Sequence, residues 1–432
     1  MKTFALICSW LLLAALVLAT GAFYTARAVL APLPGEWAVP LRLGPFELQA
    51  GVPSVIRLAT SPWGGLLLDG RELPTRAGRL HLAWQASSRT LLLRCAPCTL
   101  QPPGLGQEGL QLVEAQASVR RQGELLSGEV VAGRVRAAWQ GELAQGRLRL
   151  RLAVPATPLA DGYALFAHHI PELAQARIAG SFSLRAQLSL PSGSLTVAPS
   201  IEGFEVAGLG TEALAGARSS CARGQRASRL MPESWLARAV VAAEDQRFYD
   251  HPGYDLAELA SSVTRNQQAH RIERGASTLS QQVAKLLITG DERSPVRKLR
   301  ELLYAVEMER TLGKARILRL YLDNAPWGPQ LCGADAAARH YFGVRAHELT
   351  PAQASWLAAM LHNPTVEAQR WADTGQIDLA RAQWVALGLR GLSRKQKLAL
   401  AEDMATLEWP PTWAEPAPPA DTTPHKDKQV GL

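Results

Sequence analysis

The hydrophobic period of this chain changes once, and the change divides it into two kinds of structure. From about Pro34 to Phe204 the clearest runs have period two. Arg147-Leu148-Arg149-Leu150-Arg151-Leu152 alternates strictly, and so does Ser181-Phe182-Ser183-Leu184-Arg185-Ala186-Gln187-Leu188-Ser189-Leu190. Strict alternation buries one face of a strand and wets the other. Arg79-Leu80-His81-Leu82 repeats the pattern, and Val55-Ile56-Arg57-Leu58, β-branched at its start, reads as a further short strand. Gly and Pro separate the runs, as turns require. An antiparallel β domain over 34–205 is expected, with a helical insertion near Ala160 to Ala174. His168 and His169 fall in that insertion, and neighbours one residue apart do not share a helix face, so they make a poor metal pair. Nothing in this domain carries reactive chemistry.

From Pro232 the period becomes helical. Ser234 to Val241 leads into Glu244, and Ser277-Thr278 reads as an N-cap before Leu279 to Ile288. Ser294-Pro295 opens another helix, with Ser as cap and Pro in its first turn. Further helices are expected at Lys314–Leu322, Pro351–Leu361, Ile377–Leu389 and Ser393–Leu407. The C-terminal helices occupy 366–408, and the Pro-rich, polar stretch 409–432 is expected to be disordered.

The chain has 432 residues, room for two or three domains. Hydrophobic residues are 47% and charged ones 19%, which excludes wholesale disorder. The net charge of +8 fits nucleic acid, an anionic membrane surface or a phosphate-bearing substrate. The N-terminus decides among them. Phe4 to Phe23 is almost uninterrupted apolar, about the 20 residues a bilayer core requires, with Lys2 before it. A membrane anchor over 1–30 is the favoured reading, and a signal peptide cleaved near Ala28 is the alternative. Either takes the body of the protein out of the cytoplasm and away from nucleic acid. Of five cysteines, Cys95 and Cys98 form a Cys-x-x-Cys that reads as a small structural disulfide or two idle thiols, and Cys221 and Cys332 leave a second bridge open that no sequence pattern supports.

On the helix beginning at Pro295, Leu299, Leu302, Leu303 and Val306 form one stripe, and Arg297, Glu301, Tyr304 and Met308 the opposite one. Taken alone, Arg297 and Glu301 are an ordinary surface pair. The preceding helix offers a matching set. Its start at Gly275–Thr278 presents backbone N–H groups suited to an anion, Gln281 and Lys285 lie one turn apart beside Gln282, and Arg293 follows in the connection. Such an array can cradle a diphosphate through charge-assisted hydrogen bonds. Glu244 supplies a separate carboxylate suited to general-base work.

The blocks Glu244-Asp245-Gln246-Arg247-Phe248-Tyr249-Asp250-His251-Pro252-Gly253, Gly275-Ala276-Ser277-Thr278-Leu279-Ser280-Gln281-Gln282 and Arg297-Lys298-Leu299-Arg300-Glu301, in this order, resemble the peptidoglycan glycosyltransferase family. The domain occurs in monofunctional transglycosylases and in class A penicillin-binding proteins. The resemblance covers roughly 215–365, about a third of the chain. It extends through Lys314–Asn324 with Trp327-Gly328, and through Gly333–Gly343, segments whose own pattern is structural. It implies a mainly α, lysozyme-like domain, so the whole is expected to be α+β and multidomain. It implies that lipid II is polymerised into glycan strands with release of undecaprenyl diphosphate. Glu244 matches the catalytic carboxylate and Glu301 the second one. Ser277, Gln281, Gln282, Lys285, Arg293, Arg297 and Lys298 match positions that contact the donor or its phosphates, and Asp245, Phe248 and His251 match supporting positions.

The sequence departs from the family pattern at Leu286, where Asn is usual, at Asp323, where Asn is usual, and at Gln353, where an acid is common. None removes a charge from the proposed centre. There is no Ser-x-x-Lys and no Lys-Thr-Gly, so the transpeptidase signature is missing. The chemistry requires no cofactor, although Mg2+ or Mn2+ can bridge a diphosphate. The implied partners are lipid II, the growing lipid-linked glycan, the membrane and, through the β domain, cell-wall synthesis proteins. The implied location is the bacterial inner membrane, single-pass, with the catalytic domain periplasmic. A lytic glycan-cleaving enzyme would not need the cation array. A non-catalytic envelope scaffold with a degenerate domain would be free to lose either Glu.

Overall fold

Alternating runs pair with one another, because each strand leaves unsatisfied N–H and C=O groups at its edge. In the computed structural model, which describes residues 24, 28, 30–32, 34–43, 46–100, 109–144, 146–217, 221, 230–269, 277–292 and 294–406, they do so across a wide sheet. The proposed membrane segment Phe4–Phe23, Arg293 and the 409–432 tail lie outside the described residues. The chain divides into two compact units. One comprises residues up to Leu209 with Asp255–Ala276 and Glu292–Leu303; the other comprises Gly210–Tyr254, Ser277–Asp291 and Tyr304 onward.

The first unit begins with a hairpin, β1 (Ala38–Leu43) and β2 (Phe46–Gly51), followed by helices α1 (Val52–Ala59) and α2 (Pro62–Leu68). Its main feature is a nine-stranded sheet of β3 (Glu72–Thr75), β4 (Gly78–Gln85), β5 (Thr90–Cys95), β8 (Ala115–Gln122), β9 (Leu125–Ala132), β10 (Val135–Ala144), β11 (Arg147–Pro158), β12 (Arg177–Leu190) and β13 (Ser194–Ala207). Strands neighbour one another in chain order, and every pairing is antiparallel. A small hairpin of β6 (Cys98–Leu100) and β7 (Leu110–Leu112) interrupts the meander after β5. The alternation sets the register. Leu148 pairs with Leu143 on one side and Leu190 on the other, while Arg149 and Arg151 face Glu142 and Gln140. Leu126, Leu143 and Leu148 are the buried centre of one core cluster, and Trp139 and Ile56 pack against it.

The segment expected as a strand at Val55–Leu58 is instead the middle of α1. Val52, Val55, Ile56 and Ala59 repeat at helical spacing, and Pro53 stands in the first turn, where its missing N–H costs nothing. The insertion between β11 and β12 is helical as expected: α3 (Leu159–Ala164), then short 3-10 turns at Ala167–His169 and Pro171–Ala174. Cys95 and Cys98 are disulfide-bonded. Helix α5 (Leu256–Ala269) packs against β13 in the same unit.

The second unit is helical. It contains α4 (Trp235–Glu244), α6 (Leu279–Ala284), α8 (Gly313–Asn324), α9 (Ala334–Phe342), α10 (Pro351–Ala359), α11 (Pro364–Thr374), α12 (Leu379–Gly388) and α13 (Arg394–Asp403). Helix α7 (Pro295–Thr311) starts in the first unit and contributes to this one from Tyr304 on. Helices α4, α10 and α12 pack on one another through small residues: Ala239, Ala354, Ala358, Ala382 and Ala386 are fully buried. Short side chains let helix backbones approach closely, so this core is dense although it holds few large groups. Cys221 and Cys332 are disulfide-bonded here. Among the described residues, no helix is long and apolar enough to cross a membrane.

Candidate active site

The candidate residues divide between the two units. In the helical unit, Ser234 caps α4 by accepting the Ala237 N–H, and the helix runs through buried Leu236, Ala239, Val240 and Ala243 to end at Glu244. An apolar helix therefore delivers one carboxylate to its C-terminal end. The Glu244 side chain keeps 13% exposure. Its Oε2 accepts from Gln282 Nε2 at 3.1 Å, and its Oε1 faces Arg381 Nη2 at 3.4 Å. Arg381, on α12, also donates to the Ala243 carbonyl at 2.8 Å and lies over the Trp384 ring. Its buried Nε has no hydrogen-bond partner among the described residues. Burial, with a smaller contribution from the Glu244 charge, pushes the Tyr321 phenol well above its ordinary pKa, which leaves a neutral hydroxyl near the carboxylate.

The loop after Glu244 is tied to α6. The Gly253 N–H donates to His251 Nδ1 at 3.2 Å, so the ring proton sits on Nε2, which donates to both Asp245 oxygens at 3.0 Å. Asp245 Oδ2 also accepts the Leu279 N–H at 2.9 Å. Thr278 Oγ1 donates to the Gly253 carbonyl at 2.7 Å. Gly253 has φ of +94°, and a Cβ there would stand 3.0 Å from the Ala305 backbone, so the position requires glycine twice over. Lys314 fastens the other side: its Nζ donates to the His251 carbonyl at 2.6 Å, pairs with Glu309 at 2.8 Å and lies over the Phe248 ring.

These contacts correct one expectation. The start of α6 is not an open anion site. Thr278 Oγ1 takes the Gln281 N–H, the Gln281 side chain takes the Thr278 N–H to close a capping box, and Asp245 takes the Leu279 N–H. The helix end attracts an anion as physics requires, and the chain supplies that anion itself. Ser277 lies half-buried just before the cap. Lys285 begins a π-turn over Lys285–Thr289 and pairs with the exposed Asp291 at 2.9 Å.

The second group lies in the sheet unit, on the first turns of α7. Ser294 accepts the Arg297 N–H, as the expected cap. Glu301 has no exposed surface. Arg297 Nη1 pairs with its Oε1, and Lys298 Nζ with its Oε2 at 2.8 Å. Arg297 also donates to the Glu292 carbonyl. The pair that would read as a solvated surface pair is thus a buried carboxylate and guanidinium, joined by a lysine whose side chain stays 38% exposed.

A sequence profile described as Transglycosylase matches residues 221–387. The biosynthetic peptidoglycan transglycosylase of Alcanivorax borkumensis is 38% identical over 191 residues, which cover 44% of this chain and 74% of that protein. The chain belongs to the peptidoglycan transglycosylase family. The relative from Stutzerimonas stutzeri is 39% identical over 193 residues, 44% of this chain and 77% of its own. The Aeromonas hydrophila transglycosylase reaches 50% identity over 129 residues, 30% of this chain, and the match spans only 54% of that protein's length.

The transglycosylase match runs beyond 365 and takes in Arg381, on one of the C-terminal helices. Its contact with Glu244 joins residues 137 apart, and no local pattern reveals that. A basic residue on an otherwise apolar helix was the available signal. Of the three departures, one has a visible structural task. Gln353 closes a capping box with Thr350 at the start of α10, a task an amide performs as well as an acid. Leu286 lies in the π-turn, and Asp323 is buried at the end of α8. Among the described residues, no group of three or more His, Cys, Asp or Glu could hold a metal ion.

Proposed function

We propose that this chain polymerises lipid II into glycan strands, releasing undecaprenyl diphosphate, with Glu244 as the general base. The observation that carries the reading is the surroundings of Glu244: a partly open carboxylate at the end of an apolar helix, oriented by Gln282 and Arg381. Glu244 takes the proton from the 4-hydroxyl of the acceptor sugar. That oxygen attacks the anomeric carbon of the growing glycan, the bond to the diphosphate breaks, and the configuration inverts. Charge accumulates on the departing diphosphate, where prearranged cations stabilise a transition state most. The family resemblance assigns Arg297 and Lys298, spaced by Glu301, as two such cations, and assigns Ser277, Gln281, Gln282, Lys285 and Arg293 to the donor side as well. No metal is needed in this scheme, and Mg2+ or Mn2+ has a supporting role at most, on the diphosphate.

Phe4–Phe23 spans the bacterial inner membrane in this reading, with the lysozyme-like catalytic domain on the periplasmic side, where it meets a substrate confined to the bilayer. These 432 residues carry neither Ser-x-x-Lys nor Lys-Thr-Gly, so the proposed activity is glycan polymerisation without transpeptidation. The test is incubation of the purified full-length protein with lipid II, followed by gel analysis of glycan chain length. A ladder of strands supports the reading, and unconsumed lipid II overturns it.

A further inference from the structure

The sheet domain contains no reactive constellation, yet it grips the turn of α7 that carries the cations. Two contacts, both inside the first unit, make the grip. Arg300 Nε and Nη2 donate to Glu172 Oε1 at 2.8 and 2.6 Å, and Glu172, in the 3-10 turn Pro171–Ala174, is 5% exposed. Tyr163 OH, on α3, donates to the Leu299 carbonyl at 3.3 Å. Leu299 and Arg300 lie between Lys298 and Glu301, so the grip closes within the cluster itself. The insertion is in turn fixed to the sheet. The Tyr163 ring packs on Phe204 of β13, and Gly162 lies so close to Phe182 of β12 that a Cβ would meet its ring at 2.9 Å. Burial pushes the Tyr163 phenol far up, so the hydroxyl remains a donor at any working pH.

We propose that the insertion 159–174 of the sheet domain is a positioning element for catalysis, with Glu172 and Tyr163 holding the α7 turn on which Glu301 spaces Arg297 and Lys298 for the substrate diphosphate. The inference rests on the glycosyltransferase reading above. Its physical basis is that a fixed charge array stabilises a developing charge only while its geometry is maintained, and a displacement of about 1 Å can cost on the order of a hundredfold in rate. Arg300 is a long, partly exposed side chain on α7. Paired to a buried Glu on a turn anchored to the sheet, it acts as a strut.

The test uses the full-length protein and the variants Tyr163→Phe, Glu172→Gln and Glu172→Asp, with kcat and KM for lipid II measured separately and normalised to folded protein by circular dichroism. Tyr163→Phe keeps the ring and its packing and removes only the hydroxyl, so it should fold. The expected result is a fall in kcat/KM of roughly tenfold for Glu172→Gln and a smaller fall for Tyr163→Phe, with partial recovery in Glu172→Asp. Unchanged kcat and KM in both Glu172→Gln and Tyr163→Phe, beside an active wild type, would overturn the positioning role and leave the glycosyltransferase reading standing. Losses that vanish on normalisation to folded protein would overturn it equally. An inactive wild type would instead sink the reading on which the inference rests.

Discussion

Glu244 and Glu301 are the same side chain in opposite surroundings. Glu244 is partly open, faces one neutral amide at 3.1 Å and meets one guanidinium at a loose 3.4 Å. Glu301 is wholly buried, and each of its oxygens is taken by a cation. A carboxylate that must collect a proton needs room for the donor and an oxygen that is only loosely held. One that must space two cations needs neither. The surroundings therefore fit the proposed division between a base and an organiser, which the family resemblance implies for the same two glutamates.

Glu244→Gln should break the comparison most sharply. It keeps size and the Gln282 contact and removes the base, so kcat should fall on the order of 10²- to 10⁴-fold with an unchanged unfolding midpoint. Glu301→Gln should also depress turnover, but it leaves two cations without their shared partner. Breaking a buried pair costs roughly 3–5 kcal/mol, so its unfolding midpoint should drop where that of Glu244→Gln does not. Equal midpoints for the two variants would erase the distinction. Arg297→Ala and Lys285→Ala should each weaken binding of a phosphoglycolipid inhibitor such as moenomycin by about tenfold, the worth of one charge-assisted hydrogen bond. Unchanged affinity in both would remove them from the diphosphate-binding set. At the small end, Gln353→Glu should shift stability by less than about 0.5 kcal/mol, because either side chain closes the capping box at α10.

Local signals in the sequence were legible and long-range ones were not. The alternation at 147–152 and 181–190 became β11 and β12, and Ser294, Thr278 and Ser234 cap helices as their types predict. The run Val55–Leu58 misled because β-branched residues suit strands, while its helical repeat reaches back to Val52 and needs Pro53 to be read as a start. Part of the closed helix end at Thr278 is local, since Thr278 and Gln281 stand at capping-box spacing; the group that fills the rest is not. That group, Asp245, stands 34 residues away. Arg381 and the Glu172–Arg300 strut are likewise contacts between distant segments, and a single sequence carries no record of them.

The distinction between the two carboxylates is tested most directly by measuring turnover and inhibitor binding on one preparation of Glu244→Gln. The variant should bind the phosphoglycolipid with wild-type affinity, since the cation cluster around Glu301 is untouched, and should leave lipid II unpolymerised over times in which the wild type consumes it. Polymerisation at the wild-type rate would show that Glu244 is not the base.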